Sequence, residues 1–111
     1  MQLEKLYILA VGRNAEIMQV LNRLLNTPEN WIGTTVTTDE EAVAVCSTDP
    51  CHIVLLCAGI EKEEEVRLKE RLLQVNPAAI VIRHHGGGSG LLTNEILTIL
   101  DAQGMQVGAG K

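Results

Sequence analysis

The residues of this sequence that could do covalent chemistry are a cysteine and two histidines. Cys57 ends an apolar run, and His84 and His85 follow another. A thiolate beside an imidazolium could be reactive, and a thiolate with imidazoles could bind Zn²⁺. Because successive side chains of a strand point to opposite faces, at most one histidine is expected to join Cys57, and two ligands do not make a zinc site. Cys57 is therefore a candidate reactive thiol, and no metal site is expected.

A glycine-rich segment, residues 86–90, is the second candidate. It lies between an apolar run and a helical pattern, where free backbone N–H groups and the helix dipole can hold an anion. It matches neither the Walker pattern nor G-x-G-x-x-G, so a phosphate, sulfate or carboxylate is the expected class of ligand. The simpler alternative is that the glycines only permit a tight loop with positive φ. The anion-binding candidates are Gly12, Arg13, Arg83, His84, Gly86, Gly87, Gly88, Ser89 and Gly90.

Strands and helices must alternate along the chain to position these residues. Apolar or β-branched runs predict strands at residues 6–11, 31–37, 52–57 and 78–83. The intervening segments carry helical periodicity, and a fourth helical pattern follows the glycines. Short links between such elements require right-handed crossovers and a parallel sheet covered on both faces. The sequence therefore predicts an α/β fold, a three-layer doubly wound parallel sheet with strand order 2-1-3-4.

Two details of the helices can also be predicted. The first helix should pack through residues at i, i+4, i+7 and i+8, namely Ile17, Leu21, Leu24 and Leu25. Thr38 and Glu41 form a capping-box pattern at the start of the second helix. After Gly104 the seven remaining residues suffice for a short fifth strand over 105–107 or for a loose tail, but not for a fifth helix.

Composition indicates one domain over residues 1–111 and excludes several functions. A net charge of -5 and a single Trp and Tyr argue against nucleic-acid binding. No apolar run approaches the roughly 20 residues of a membrane span, and no signal-peptide pattern opens the chain. Three cysteines, an odd number, match no disulfide framework. We therefore expect a cytoplasmic protein without membrane contact and without a cofactor.

Two segments resemble the receiver domains of response regulators. Residues 8–17 resemble the receiver opening, where a buried strand ends in acidic residues, and residues 52–60 are similar to the third strand, which ends at the phosphoacceptor aspartate. Element order and lengths match over roughly residues 3–103. In that family the acids bind Mg²⁺, but here Gly12 and Arg13 stand in their place, and Cys57, or Ala58 if the alignment shifts by one, stands at the acceptor position. The side chains at these positions carry no oxygen ligand for Mg²⁺, so phosphorylation on aspartate is not expected.

The resemblance implies a flavodoxin-like, receiver-like module for signal transduction that regulates or binds another protein without catalysis. One alternative is a sensor that binds a small anion or nucleotide at Gly86–Gly90. A minor alternative is a cysteine-dependent enzyme, because residues 56–59 are similar to the phosphocysteine loop of sugar-phosphotransferase IIB domains. In those domains the cysteine follows the first strand, whereas Cys57 follows the third and is succeeded by four acids.

The short C-terminal segment predicts self-association. A complete receiver covers the sheet beyond its fourth strand with a fifth strand and helix, which this chain has no room for. Ile80 and Ile82, or Val81, and the helix flank carrying Leu92, Ile96 and Leu100 should then lose cover. An uncovered apolar edge strand invites pairing. We expect a two-fold homodimer through the edge made by the fourth strand and fourth helix, or a monomer if residues 105–107 cover that edge.

Overall fold

The computed structural model describes residues 2–84 and 89–107. Ten elements follow one another along the chain. They are β1 (Gln2–Leu3), β2 (Leu6–Val11), α1 (Ala15–Leu25), β3 (Trp31–Val36), α2 (Asp39–Thr48), β4 (Ile53–Leu56), α3 (Lys62–Val75), β5 (Ile80–Arg83), α4 (Ser89–Ala102) and β6 (Gln106–Val107).

The main sheet has four parallel strands in the order β3-β2-β4-β5. Counted without the two-residue β1, this is the predicted order 2-1-3-4, so the fold prediction is confirmed. The two central strands are the most apolar ones, and every residue of β4 is buried. A strand covered by helices on both faces needs apolar side chains in both directions, which explains its uninterrupted run.

Helices cover both faces of the sheet and make two separate cores. Helices α1 and α4 pack on one face around Ile8, Ile53 and Leu55. Helices α2 and α3 pack on the other face around Leu9 and Val54. Alternate residues of each central strand enter opposite cores, as the pleat requires. The result is a flavodoxin-like three-layer domain, and no helix within the described residues is both long and apolar enough to span a membrane.

The final strand forms where the sequence allows it but pairs with an unexpected partner. Strand β6 lies parallel to β1, with Gln2 opposite Gln106 and Leu3 opposite Val107, and not beside β5. The face that α4 occupies explains this. A right-handed crossover to a position beyond β5 would place the connecting helix on the α3 face, but α4 packs on the α1 face. The chain therefore turns back towards β1.

The predicted face of the first helix is wrong at one residue. Met18, Leu21 and Leu25 are the buried residues of α1, while Ile17 is 44% exposed and Leu24 is half-buried. The predicted set of core residues and the observed set share Leu21 and Leu25, so helical periodicity alone cannot distinguish the two faces. The predicted cap at the start of α2 is present, since the Glu41 N–H donates to the Thr38 hydroxyl at 3.2 Å.

The apolar stripe that was expected to lose cover on the last helix is buried. Leu92, Ile96 and Leu100 are all buried, because α4 lies across the sheet on the α1 face. The residues of β5 are each half-buried. Incomplete cover is therefore a property of the β5 strand and not of the apolar stripe of α4.

Candidate functional site at the carboxyl edge of the sheet

The carboxyl ends of the four strands meet at one edge, where ligands bind in open parallel sheets. Backbone hydrogen bonds continue past the strand ends and hold the loops together. The N–H of Arg13 donates to Ala58 O at 3.1 Å, and that of Cys57 donates to Val11 O at 2.7 Å. The N–H of His84 donates to Leu56 O at 2.9 Å. The structure thus brings Gly12, Arg13, Cys57, Arg83 and His84 to this edge.

Arg13 is held by the chain's own acceptors. Its Nη2 donates to Asp39 Oδ1 at 2.7 Å and lies 3.7 Å from Glu64 Oε1. Its Nη1 donates to the carbonyl oxygen of Thr37 at 3.0 Å. We call Arg13, Asp39 and Glu64 the Arg13 cluster. An anion at this guanidinium would have to compete with two carboxylates.

Helix starts supply both carboxylates of the Arg13 cluster. Asp39 is the first residue of α2, and Glu64 lies in the first turn of α3, where it accepts the Glu61 N–H at 3.0 Å. Unpaired N–H groups and the helix dipole favour negative charge at such positions. Gly59 permits the close approach of the α3 loop, because its φ is +93° and a Cβ there would lie 2.6 Å from Arg13 Cβ.

Sequence reasoning missed both carboxylates of the Arg13 cluster. The available signal was positional. The arginine follows the first long strand, and the acids begin the helices that follow the next two strands. All these positions lie at the same edge of a parallel sheet.

Cys57 does not meet the conditions for a reactive thiol. Its exposure is 1%, and it faces the core between the sheet and α1 and α4. Its Sγ donates to the carbonyl oxygen of Leu55 at 3.7 Å. Burial raises the pKa of the Cys57 thiol to about 12, which the nearby Arg83 guanidinium only partly opposes. The thiolate that nucleophilic chemistry needs is therefore disfavoured.

The two candidates after β5 are also paired within the chain. His84 is buried, and its Nδ1 lies 2.6 Å from Glu95 Oε1 of α4. Arg83 Nη1 donates to Glu65 Oε1 at 3.4 Å. Glu95 was not anticipated, although it lies next to the apolar stripe of α4, where a carboxylate indicates a buried partner.

Only some of the glycine candidates lie within the described residues. Gly86, Gly87 and Gly88 lie outside the described residues, and Ser89 and Gly90 are the first residues of α4. Gly12 lies against Met18, with a position for Cβ only 2.7 Å from Met18 Sδ, so this glycine serves packing. Over residues 2–84 and 89–107, no group of three or more His, Cys, Asp or Glu side chains is arranged to hold a metal ion.

The two outer edges of the main sheet differ in their protection. On β3 the Asn26 side chain mimics a neighbouring strand: its Nδ2 donates to Gly33 O at 3.0 Å, and its Oδ1 accepts the Gly33 N–H at 2.9 Å. Strand β5 is hydrogen-bonded to β4 on one side, and no strand of the described chain pairs with its other side. Unprotected strand edges are sites of association.

The carboxyl edge therefore combines ion pairs with a buried thiol, and the outer edge of β5 pairs with no strand among the described residues. The first arrangement rigidifies the loops, whereas the second can bind a strand. Comparison with known proteins adds no assignment: the chain matches no protein-family model, no curated protein and no solved structure.

Proposed function

We propose that the chain is a non-catalytic, receiver-like regulatory or protein-interaction module of the cytoplasm that binds a second copy of itself through the outer edge of β5. The observation that carries the proposal is the outer edge of β5, which pairs with no strand among the described residues, in contrast to the edge of β3, where Asn26 binds the backbone of Gly33. A strand edge that has no such partner offers its backbone groups for pairing with a second strand.

Backbone hydrogen bonds identify which groups of β5 are free to pair. The N–H of Ile80 donates to His52 O at 3.0 Å, and that of His84 donates to Leu56 O at 2.9 Å. Because the direction of the backbone N–H and C=O groups alternates along a strand, those of Ile82 also point towards β4. Val81 and Arg83 consequently direct their N–H and C=O groups outward.

A two-fold axis at Ile82 would use all of these groups. The symmetry makes the two β5 strands antiparallel, so Val81 of one chain lies opposite Arg83 of the other. Residues opposite each other in such a pair exchange two hydrogen bonds, and the dimer repeats this pairing on both sides of the axis. The half-buried apolar side chains of β5 gain cover at the same time.

The carboxyl edge supports the non-catalytic part of the proposal. Where the resemblance to receivers would place metal-binding acids, Arg13 is bound to Asp39 and lies near Glu64. Cys57, at or next to the position of the phosphoacceptor, is buried and neutral. After incubation with acetyl phosphate and Mg²⁺ the mass of the protein should therefore be unchanged, and a stable phosphoryl adduct would overturn this part.

Light scattering on matched edge variants tests the dimer. The wild type should have twice the 12.1 kDa mass of the chain. Val81→Pro removes an outward N–H and no bond to β4, and proline is tolerated at such positions of edge strands. We expect Val81→Pro to be a monomer with an unchanged circular dichroism spectrum.

Thr35→Pro is the control, because Thr35 directs its N–H outward from β3 by the same alternation. It should remain a dimer. A monomeric wild type, or dissociation by Thr35→Pro and not by Val81→Pro, would show that the β5 edge is not the interface.

A further inference from the structure

A cavity of about 370 Å³ lies at the amino edge of the sheet, opposite the carboxyl edge. Three segments of the chain line it: the link from α2 to β4, the link from α3 to β5, and the residues that follow α4. Cys51 and Met105 are buried and Ile80 is half-buried, so these residues give the cavity an apolar surface. Its volume falls within the range of small-molecule sites, which is about 300–1,000 Å³.

His52, which lines this cavity, is held in one tautomer. Its ring Nδ1 accepts the Tyr7 N–H at 3.0 Å, and its own backbone N–H donates to Tyr7 O at 2.9 Å. Because a backbone N–H can only donate, Nδ1 carries no proton, and the proton of the neutral ring is on Nε2. Burial lowers the pKa of His52, which also favours the neutral ring. His52 therefore presents a fixed N–H donor at Nε2.

Asn76, which lines the cavity at the end of α3, also has a fixed side chain. Its Nδ2 donates to the carbonyl oxygen of Cys51 at 2.9 Å, which leaves its Oδ1 as an acceptor. Neither Oδ1 of Asn76 nor Nε2 of His52 has a hydrogen-bond partner among the described residues. In that part of the chain no polar side-chain atom is buried without a partner, so both atoms are accessible. One donor and one acceptor are thus free at the same cavity.

The charges around the cavity disfavour an anion. None of its described lining residues is an arginine, lysine, aspartate or glutamate. Helices α3 and α4 both end at the cavity, and neither has a basic residue in its last turn. The carbonyl ends of helices carry partial negative charge. A fitting ligand therefore has no negative charge, and it carries an acceptor for His52 together with a donor for Asn76.

We propose that this cavity binds an uncharged small molecule with an amide group, in which a C=O lies beside an N–H. The C=O of the ligand accepts from Nε2 of His52, its N–H donates to Oδ1 of Asn76, and its apolar part packs on Ile80 and Met105. A carboxamide and the ring amide of a nucleobase share this chemistry. The site goes beyond the proposed dimer, whose interface is centred on Ile82 and uses the outward groups of β5.

Amide NMR of the folded protein tests the site with two probes, nicotinamide for a carboxamide and uracil for a ring amide. At millimolar concentration at least one of them should give saturable shifts at the backbone amides of His52, Asn76 and Gln103 and at Nε2 of the His52 ring. The Arg13 amide, at the carboxyl edge, should not shift. The probe that binds more tightly identifies the source of the amide. Nicotinate, the carboxylate analogue of nicotinamide, is the control and should give no saturable shift.

Two phenylalanine variants form a matched pair. Ala78 is exposed and lines the cavity, so Ala78→Phe should fill it and abolish the shifts. Ala44 is exposed on α2 and does not line the cavity, so Ala44→Phe should bind the probes as the wild type does. If Ala78→Phe fails to fold, the location of the shifts on the wild-type chain still decides. Equal shifts with nicotinate, shifts confined to other residues, binding that Ala78→Phe leaves unchanged, or no saturable shift with either amide would overturn the proposal.

Discussion

Replacing the two partners of the shortest arginine–carboxylate pair among the described residues of the carboxyl edge should reveal a coupled interaction. Arg13 Nη2 and Asp39 Oδ1 are 2.7 Å apart, and their side chains are only 29% and 24% exposed. A hydrogen bond between charged groups contributes about 1.5–3 kcal/mol when shielded from water, and fully exposed pairs contribute about 0–1 kcal/mol. For this partly shielded pair we expect a coupling energy of about 1 kcal/mol.

The assay is a double-mutant cycle measured by urea denaturation. The variants are Arg13→Met, Asp39→Asn and the double variant. Arg13→Met also loses the bond to the Thr37 carbonyl and leaves Glu64 without its cation, so it should lower the free energy of unfolding by about 2 kcal/mol. The coupling should weaken in 1 M salt, where the Debye length is about 3 Å.

A second ion pair in the same protein provides the matched control. Arg71 Nη1 lies 3.4 Å from Glu40 Oε2, but these side chains are 44% and 80% exposed. The same cycle at this pair should give a coupling of roughly 0.3 kcal/mol or less. A coupling at Arg13 and Asp39 no larger than that of the control would refute the view that they fasten the carboxyl edge.

Three further predictions follow from single residues. Gly33→Ala should lower the free energy of unfolding by about 1–3 kcal/mol in urea denaturation, because the new Cβ would lie 2.4 Å from Leu25 Cβ; unchanged stability would contradict this packing. Burial lowers the pKa of His52, whose Nδ1 accepts the Tyr7 N–H at 3.0 Å, so stability should be full above pH 6.5 and fall below it. His52→Asn, which keeps an acceptor that does not titrate, should lose this pH dependence, and persistence of the full dependence would count against it. Because the pKa of Cys57 is raised in the folded protein, its contribution to stability should be full below pH 9 and should be lost as the pH rises towards 12. Urea denaturation of the wild type and of Cys57→Ala across this pH range measures that contribution. Labelling of Cys57 by iodoacetamide as fast as an unstructured thiol would contradict its burial.

The sheet could be predicted because its information is local. Each strand appears as a short apolar run, and the handedness of crossovers then limits how the runs can be ordered. The partner of β6 could not be predicted in this way, since it depends on which face α4 packs against. Likewise Ile17 and Met18 fit the same periodicity, and only the position of α1 over Gly12 selects Met18 for the core.

The candidate site was predictable by location but not by pairing. Arg13 was predicted as an anion-binding candidate, and the structure places it at the carboxyl edge, after β2. Its partners Asp39 and Glu64 lie 26 and 51 residues further along the chain, and spacing in sequence does not reveal such contacts. Free cations were therefore expected where the structure has ion pairs. The contrast between the β3 and β5 edges is equally hidden, because it rests on the orientation of the Asn26 side chain.

Amide hydrogen exchange, resolved by residue and measured over a range of protein concentrations, tests the proposed β5 interface most directly. In a single chain the N–H groups of Ile80 and Ile82 face β4, while those of Val81 and Arg83 face outward. We predict that the Val81 and Arg83 amides are protected at high concentration and lose protection on dilution, whereas Ile80 and Ile82 remain protected throughout. Fast exchange of Val81 and Arg83 at every concentration would show that this edge binds no second copy of the chain.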